Sequence, residues 1–340
     1  MFRRVQTLDG SGTLRLVTGE TLPEPGPGEA LVEILASYVA PYMSQICEPR
    51  SGYQTPERPF TPGTDAIGRV LKLGDGESSL ERQDLVFADL FIDAQWDGHA
   101  NEAVFAGNFA VSNAAPNLLA KWRQGTFASH IVLPSECLTN VGPALPNSSV
   151  ETLTRLGWLS TAYAALEKAG FKSGDQIVVL GASGQLGSSV VLLALALGAA
   201  KVTCVGRDIA KLAHLKQHDH RVDITLQAPT ATDLVISAAE GNCSKMVEHA
   251  IAGLKRHARL VLLASPSSPP QLSNLVLRDI TVIGSFWFPR NTPGKLVRLI
   301  AGGSLDLSAI QPHCFALERI SDALAKTVRL SPFAQSVLVP

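Results

Sequence analysis

Residues 176–198 read Gln176-Ile-Val-Val-Leu-Gly-Ala-Ser-Gly-Gln-Leu-Gly-Ser-Ser-Val-Val-Leu-Leu-Ala-Leu-Ala-Leu-Gly198. A short β-branched apolar run leads into Gly181, Gly184 and Gly187, and an apolar helical pattern follows at once. That order is strand, tight turn, helix, and it suits a phosphate. The turn glycines let the backbone approach a pyrophosphate, the first helical turn offers unpaired N–H groups, and the last glycine permits close helix–strand packing. Ser183, Gln185 and Leu186 belong to the same turn and are assigned to the nucleotide with the three glycines. A second strand-like run, Lys201-Val-Thr-Cys-Val205, ends where the residue contacting the adenosine ribose belongs. An acid there would bond the 2′-hydroxyl of NAD and repel a 2′-phosphate. The chain instead has Gly206 and Arg207, with Lys211 four residues on. A guanidinium matches phosphate bidentately and a lysine adds a point charge. The same pair, partly offset by Asp208, also reads as the solvated start of a helix; with the glycine turn upstream, the expected cofactor is NADPH (NADP+).

The chain has 340 residues, enough for two domains each with its own core. Hydrophobic content of 46% and charged content of 17% describe a globular protein, and a net charge of −1 speaks against nucleic acid held by bulk electrostatics. The longest apolar stretch, Val190 to Leu197, is far too short to cross a bilayer. Met1 to Gly10 carries basic residues without an apolar core behind them, so no signal peptide is expected. Cys47, Cys137, Cys204, Cys243 and Cys314 are scattered and form no Cys-x-x-Cys pair, which predicts reduced thiols and a cytoplasmic location.

Residues 1–150 show short alternating runs (Ala30–Ala36, Ala66–Lys72, Asp84–Ala88) between Pro/Gly turns such as Pro23–Gly28 and Pro59–Gly63. From 151 to 287 strands alternate with helices, the strand candidates being 176–180, 201–205, 222–226, 233–237, 259–264 and 280–285. That texture predicts an α/β fold with a doubly wound parallel sheet. A tail, 288–340, adds helical patterns at 295–301 and 317–328 and a last strand at 335–339. Residues 91–125 form a long Asn/Ala/Gly-rich stretch carrying Trp96, His99, Phe105, Phe109 and Trp122, which predicts an ordered loop that caps a pocket as a lid.

These parts together resemble the medium-chain dehydrogenase/reductase superfamily, in particular its zinc-free quinone oxidoreductase and enoyl reductase branch. Pro25–Glu33 resembles its opening strand, Pro59–Gly68 its Pro-x-x-x-Gly-x-[Asp/Glu] segment, Gly125–Pro134 its Gly-x-[Phe/Tyr]-Ala strand, and Ser160–Leu166 the helix whose threonine, here Thr161, lies beside the nicotinamide. The resemblance implies a GroES-like catalytic domain from 1–150 and 288–340, a Rossmann domain at 151–287, and an active site in the cleft. It also assigns Ser265 and Phe286 to the cofactor.

Zinc-dependent relatives hold their metal with three elements whose matching places here carry Tyr42, Thr64 and Gly157. None is a zinc ligand of the usual kind, and the four cysteines of the structural zinc lobe are absent, so no metal is expected. His214 and His218, four apart on a helix, are weighed as a second metal candidate against a plain polar helix end. Without zinc, the acceptor's developing charge needs a neutral donor. Tyr53, in Arg50-Ser-Gly-Tyr53, falls where zinc-free relatives carry an active-site tyrosine; a packing role competes with that reading. Tyr42 is a second donor or a steric wall, and His99 the next candidate. The expected activity is hydride transfer from NADPH to an activated C=C or C=O in a small, apolar or aromatic substrate. A zinc-independent alcohol dehydrogenase or biosynthetic tailoring reductase, and a nucleotide-binding protein with vestigial catalysis, remain as alternatives. The apolar last Rossmann strand at a sheet edge predicts a homodimer, with no nucleic-acid or membrane partner.

Overall fold

The computed structural model describes residues 2–7, 12–48, 52–76, 78–93, 102–111, 116–265 and 273–340. Backbone contacts divide the chain into two units: residues 1–156 with 310–330 and 335–340, and residues 157–309 with 331–334.

The first unit is β-rich. A hairpin of β1 (Phe2–Thr7) and β2 (Leu14–Glu20) precedes β3 (Glu29–Tyr38), the short helix α1 (Met43–Cys47), β4 (Ala66–Leu73) and β5 (Leu85–Ala88). Next come β6 (Phe91–Asp93), β7 (Ala103–Phe105), β8 (Phe109–Ala110), α2 (Pro116–Lys121), β9 (His130–Pro134), β10 (Leu138–Asn140) and α3 (Val150–Leu153). The main sheet runs β10-β5-β4-β3 and is completed by two strands from the end of the chain, β18 (Ala334–Val339) and β17 (Gln311–Ala316), while β9 also pairs with β3. Alternation along β3 and β4 sends Val32, Ile34 and Val70 into a core shared with Val86 and Leu133. Strands β6, β7 and β8 form a separate antiparallel sheet.

The second unit starts with α4 (Leu156–Lys168) and contains β11 (Gln176–Leu180), α5 (Gln185–Ala196), β12 (Lys201–Val205), α6 (Ile209–His218), β13 (Val222–Thr225), β14 (Thr232–Ser237), α7 (Ser244–Ala252), β15 (Leu254–Leu262), α8 (Ser273–Val276), β16 (Thr281–Gly284) and α9 (Thr292–Ala301). Its strands are all parallel, in the order β13-β12-β11-β14-β15-β16. This is the doubly wound order, with its switch point between β11 and β14, where such sheets bind ligands. Helix α5 is buried on nearly every side, as its Val190–Leu195 run requires. The strand at the far edge, β16, leaves Val282 42% exposed, and Val276, Leu277 and Phe286 nearby are also exposed.

The crossover from β13 to β14 has no helix. Six residues, 226–231, separate the two strands, although β12 and β11 lie between them. Three strand spacings of about 4.8 Å and the return along one strand make a diagonal of roughly 20 Å, close to the reach of an extended six-residue segment. The segment therefore crosses the sheet stretched out, and Ala228 packs among Val178, Leu180, Val235 and Val247. Beside it a groove of about 740 Å³ opens over strand ends lined by Gln176, Lys201, Thr203, Asp223, Lys255 and Arg259. Polar side chains occupy sheet positions that a crossover helix would otherwise cover. Lys201 and Lys216 both pair with Asp223, and Lys255 with Asp233.

Candidate functional site

In a parallel sheet every segment that follows a strand emerges at the same edge. Most of the residues assigned to the cofactor follow strand ends along that edge: the 181–187 turn after β11, Arg207 after β12, Ser265 after β15 and Phe286 after β16. Gly181 has φ +72°, and a Cβ on it would lie 2.8 Å from the Ala239 amide nitrogen. On Gly187 a Cβ would lie 2.3 Å from the Gly181 carbonyl oxygen, so that residue lets α5 sit against the turn. Gly184 differs. It has ordinary φ −84°, and a Cβ there would make only a 3.4 Å contact with Gly181 O. The protein itself does not forbid a side chain at Gly184; a ligand approaching the turn would. Gly184 is also the N-cap of α5, and no side chain caps that end. Ser237, in register with Leu180 across the switch point, is fully buried with a hydroxyl that has no hydrogen-bond partner. A cradle with no side chain in it and an orphaned buried hydroxyl fit a dinucleotide phosphate and its surroundings.

The ribose-reading position has its own geometry. A Cβ on Gly206 would lie 3.2 Å from Ser183 Oγ and 3.3 Å from Leu212 Cδ2, so Gly206 keeps the end of β12 close to the glycine turn. Arg207 is exposed and Lys211 half-buried, and among the described residues neither forms an ion pair. The neighbouring acid is occupied elsewhere: Asp208 caps α6, accepting from the amides of Ala210 and Lys211 at 3.0 and 3.1 Å. Arg207 also lies near enough to Cys243 for its charge to oppose the rise in thiol pKa that burial causes. Thr161 is buried in α4 and its hydroxyl donates to the Gly157 carbonyl one turn back, which leaves its lone pairs to accept.

In the first unit, the two tyrosines singled out from sequence converge on one ring. Phe109 lies 4.8 Å from Tyr53 in a tilted arrangement and 6.3 Å from Tyr42 edge-on, and Phe105 lies 5.1 Å behind it. Tyr42, Tyr53 and Phe109 are all half-buried, so the three rings form a partly open aromatic surface. The described part of 91–125 is not a free flap. It is the β6-β7-β8 sheet and α2, tied down by Gly107 N–H donating to Trp122 O, Ala110 N–H to Gln54 O, and Asn108 Nδ2 to Gly63 O. Trp96 and His99 lie outside the described residues.

Two carboxyl groups missed by sequence reading sit in the same unit. Ala66 pairs with Ala88 in the β4–β5 ladder, so Asp65 and Asp89 are the next opposed positions, and both are buried. Burial first, and the Asp89 charge second, push the Asp65 carboxyl well above the usual carboxylate range. The Asp89 carboxylate accepts from Phe91 N–H at 2.9 Å. Of the pair, Asp65 was within the quoted Pro59–Gly68 segment; its burial was not readable from that motif.

Residues 26–143 match the Alcohol dehydrogenase GroES-like domain. The chain is 28% identical over 265 residues to 2-methylene-furan-3-one reductase of Solanum lycopersicum, covering 76% of this chain and 60% of that protein. It thus spans less than two thirds of that relative's length. It is 25% identical to an alcohol dehydrogenase of Moraxella sp. (strain TAE123), covering 88% of each. Among solved structures, a dehydrogenase of Sinorhizobium meliloti 1021 assigned as zinc-binding and bound to NADP superposes with a TM-score of 0.81 at 19% identity, covering 100% of this chain and 99% of that one. The chain thus carries a GroES-like domain at residues 26–143 and is similar over most of its length to reductases and alcohol dehydrogenases. Cofactor choice is not decided by likeness, because a short chain alcohol dehydrogenase of E. coli CFT073, complexed with NADH, fits equally well (TM-score 0.80, 17% identity, covering 100% and 99%).

Tyr42, Thr64 and Gly157 stand at the places that the family resemblance matches to zinc ligands. Thr64 is buried and its hydroxyl donates to Tyr38 O at 2.9 Å. Tyr42 is the N-cap of α1, and its ring faces Phe109 edge-on. Among the described residues no group of three His, Cys, Asp or Glu side chains is arranged to hold a metal ion. His214 and His218 lie on the exposed face of α6, with the His218 ring 5.1 Å from Phe333. No helix of the described residues is long and apolar enough to cross a membrane.

Proposed function

We propose that this chain is a medium-chain oxidoreductase that works without zinc and reduces an activated C=C or C=O, as in a quinone, enone, enal or enoyl-type substrate, with NADPH. The observation that carries the cofactor choice is the end of β12: a glycine in the ribose-reading place, two basic side chains that form no ion pair among the described residues, and the adjacent Asp208 committed to a helix cap. Gly181, Ser183, Gly184, Gln185, Leu186 and Gly187 hold the pyrophosphate on the N-terminus of α5. Arg207 and Lys211 take the 2′-phosphate, and Thr161, Ser265 and Phe286 complete the site. When bound, the nicotinamide supplies the hydride.

The chain's own part in the chemistry is to bind and orient the acceptor and to return a proton. With threonine hydrogen-bonded to backbone where a metal ligand would stand, a tyrosine hydroxyl is the remaining donor, and Tyr53 or Tyr42 donates to the substrate oxygen or carbon as charge develops there. The tomato relative, a reductase named for a 2-methylene-furan-3-one, supports a conjugated ketone as the acceptor class. A homodimer through the β16 edge completes the proposal, supported by the exposed Val282 there; light scattering that returns a monomer mass at every concentration overturns it.

The deciding experiment titrates NADPH and NADH into the wild type and Arg207→Ala. The wild type is expected to prefer NADPH by at least tenfold, about 1.4 kcal/mol, and Arg207→Ala to lose that preference while keeping its NADH affinity. Equal wild-type affinities overturn the assignment. A panel of quinones, enones and aldehydes then tests turnover; no consumption of NADPH with any of them favours the vestigial reading.

A further inference from the structure

We infer that Phe109 sets the acceptor class of this enzyme, its ring serving as a fixed flat surface for planar conjugated substrates and as the support that orients Tyr42 and Tyr53. The inference rests on the reductase reading above and deepens it.

Three features set Phe109 apart from the other aromatics of its unit. Its ring is the common neighbour of both candidate proton donors, at 4.8 and 6.3 Å. Its backbone is immobilised on both sides. Gly107, two residues before it, has φ +67° and no room for a Cβ, which would lie 2.2 Å from Gly125 N and 2.4 Å from Thr61 O. Asn108 is fully buried and donates to the carbonyls of Gly63 at 2.6 Å and Ala106 at 3.0 Å. Ala110, just after it, donates to Gln54 O at 2.9 Å, which ties β8 to the segment bearing Tyr53. Finally, the ring is only half-buried although Phe105 packs behind it and is buried. A rigid backbone presenting an apolar ring that folding has covered only in part holds its orientation at no further entropic cost when a ligand arrives.

An aromatic face prefers offset-stacked or edge-on π partners, a preference that adds to simple area burial. A saturated or short aliphatic carbonyl compound gains little from it. The surface between the tyrosines therefore discriminates by the breadth of the flat π system, favouring a bicyclic quinone over a short enal, and places the acceptor oxygen within reach of a tyrosine hydroxyl whose ring Phe109 holds in place.

The test compares a naphthoquinone with a short aliphatic enal in the wild type, Phe109→Leu and Phe109→Trp, all as full-length chains. For Phe109→Leu, kcat/KM for the naphthoquinone is expected to fall about tenfold, mostly through KM, with less than a twofold change for the enal and no change in NADPH affinity. Phe109→Trp, which keeps an aromatic face, is expected to retain the preference for the flat acceptor and stands as the readout if the leucine variant does not fold. Equal losses for both acceptors, or a leucine variant with unchanged selectivity, overturn the inference while leaving the reductase reading intact. A wild type that oxidises NADPH with neither compound sinks that reading itself, and the role of Phe109 with it.

Discussion

The three turn glycines make a prediction in which stability and cofactor binding separate. In Gly187→Ala the new methyl lies 2.3 Å from the Gly181 carbonyl oxygen and 2.8 Å from Ala182 Cα. Both are backbone atoms, so no side chain can swing away and α5 must withdraw by roughly 1 Å. Overpacking of this kind costs about 1–3 kcal/mol, offset by up to about 1 kcal/mol because alanine is the better helix former. A net loss near 2 kcal/mol lowers the melting temperature of the nucleotide-binding unit by about 4–8 °C. In Gly184→Ala the methyl meets only Gly181 O at 3.4 Å, and φ −84° suits any residue. The poorer N-cap costs about as much as the stiffer unfolded chain returns, so Tm should move by less than about 2 °C. On the proposed cofactor site its methyl would meet the pyrophosphate, and NADPH affinity should drop at least tenfold, about 1.4 kcal/mol. Thermal unfolding by circular dichroism and a fluorescence titration of NADPH read the two effects on the same samples. If Gly184→Ala melts as early as Gly187→Ala, or binds NADPH as tightly as wild type, the division of labour among these glycines is wrong.

Two further perturbations probe other parts of the molecule. The Asp65 carboxyl is held above its unfolded pKa, so its contribution to stability is complete below about pH 4 and is lost as pH rises through the folded value; Asp65→Asn, neutral throughout, should flatten the decline of Tm between pH 5 and 9, and two parallel pH curves would refute the assignment. Ala228→Asp puts a carboxylate into the apolar cluster of Val178, Leu180 and Val247 and should cost about 3 kcal/mol or more; a variant that melts with the wild type would mean that the crossover does not lie on the sheet.

The nucleotide-binding sheet was legible in the sequence because each of its signals is local. Strands at 176–180 and 201–205 occur where the β-branched runs place them, and the glycine turn follows from contacts within a dozen residues. The 254–262 strand begins five residues before its apolar run, since Lys255, Arg256 and His257 are exposed and His257 takes φ +62°, breaking the alternation that marks a strand. The site in the other unit was legible only in part. Tyr42 and Tyr53 could be chosen by resemblance, but the ring that joins them lies on a two-residue strand, too short to carry any periodicity, inside a stretch that reads as a loop. Asp65 and Asp89 meet through strand register, and register is not written in either segment alone.

The missing crossover helix shows how a fold-level expectation and the chain's own residues can be weighed. Doubly wound sheets owe their stability to helices on both faces, so a bare patch of sheet would ordinarily call for a partner to cover it. Here the uncovered positions have changed character. Gln176, Thr203, Asp223 and Thr225 stand where a covered parallel sheet would carry valine or isoleucine, and Asp223 is held by two lysines that need water around them. Apolar burial persists beneath the stretched segment, where Ala228 shares a cluster with Val178, Leu180 and Val235. The groove is thus a solvent-facing surface in its own right. On the proposed function, the edge that carries the glycine turn, Arg207 and the switch-point serine is the one the chemistry requires, and the uncovered positions lie toward the opposite ends of the strands.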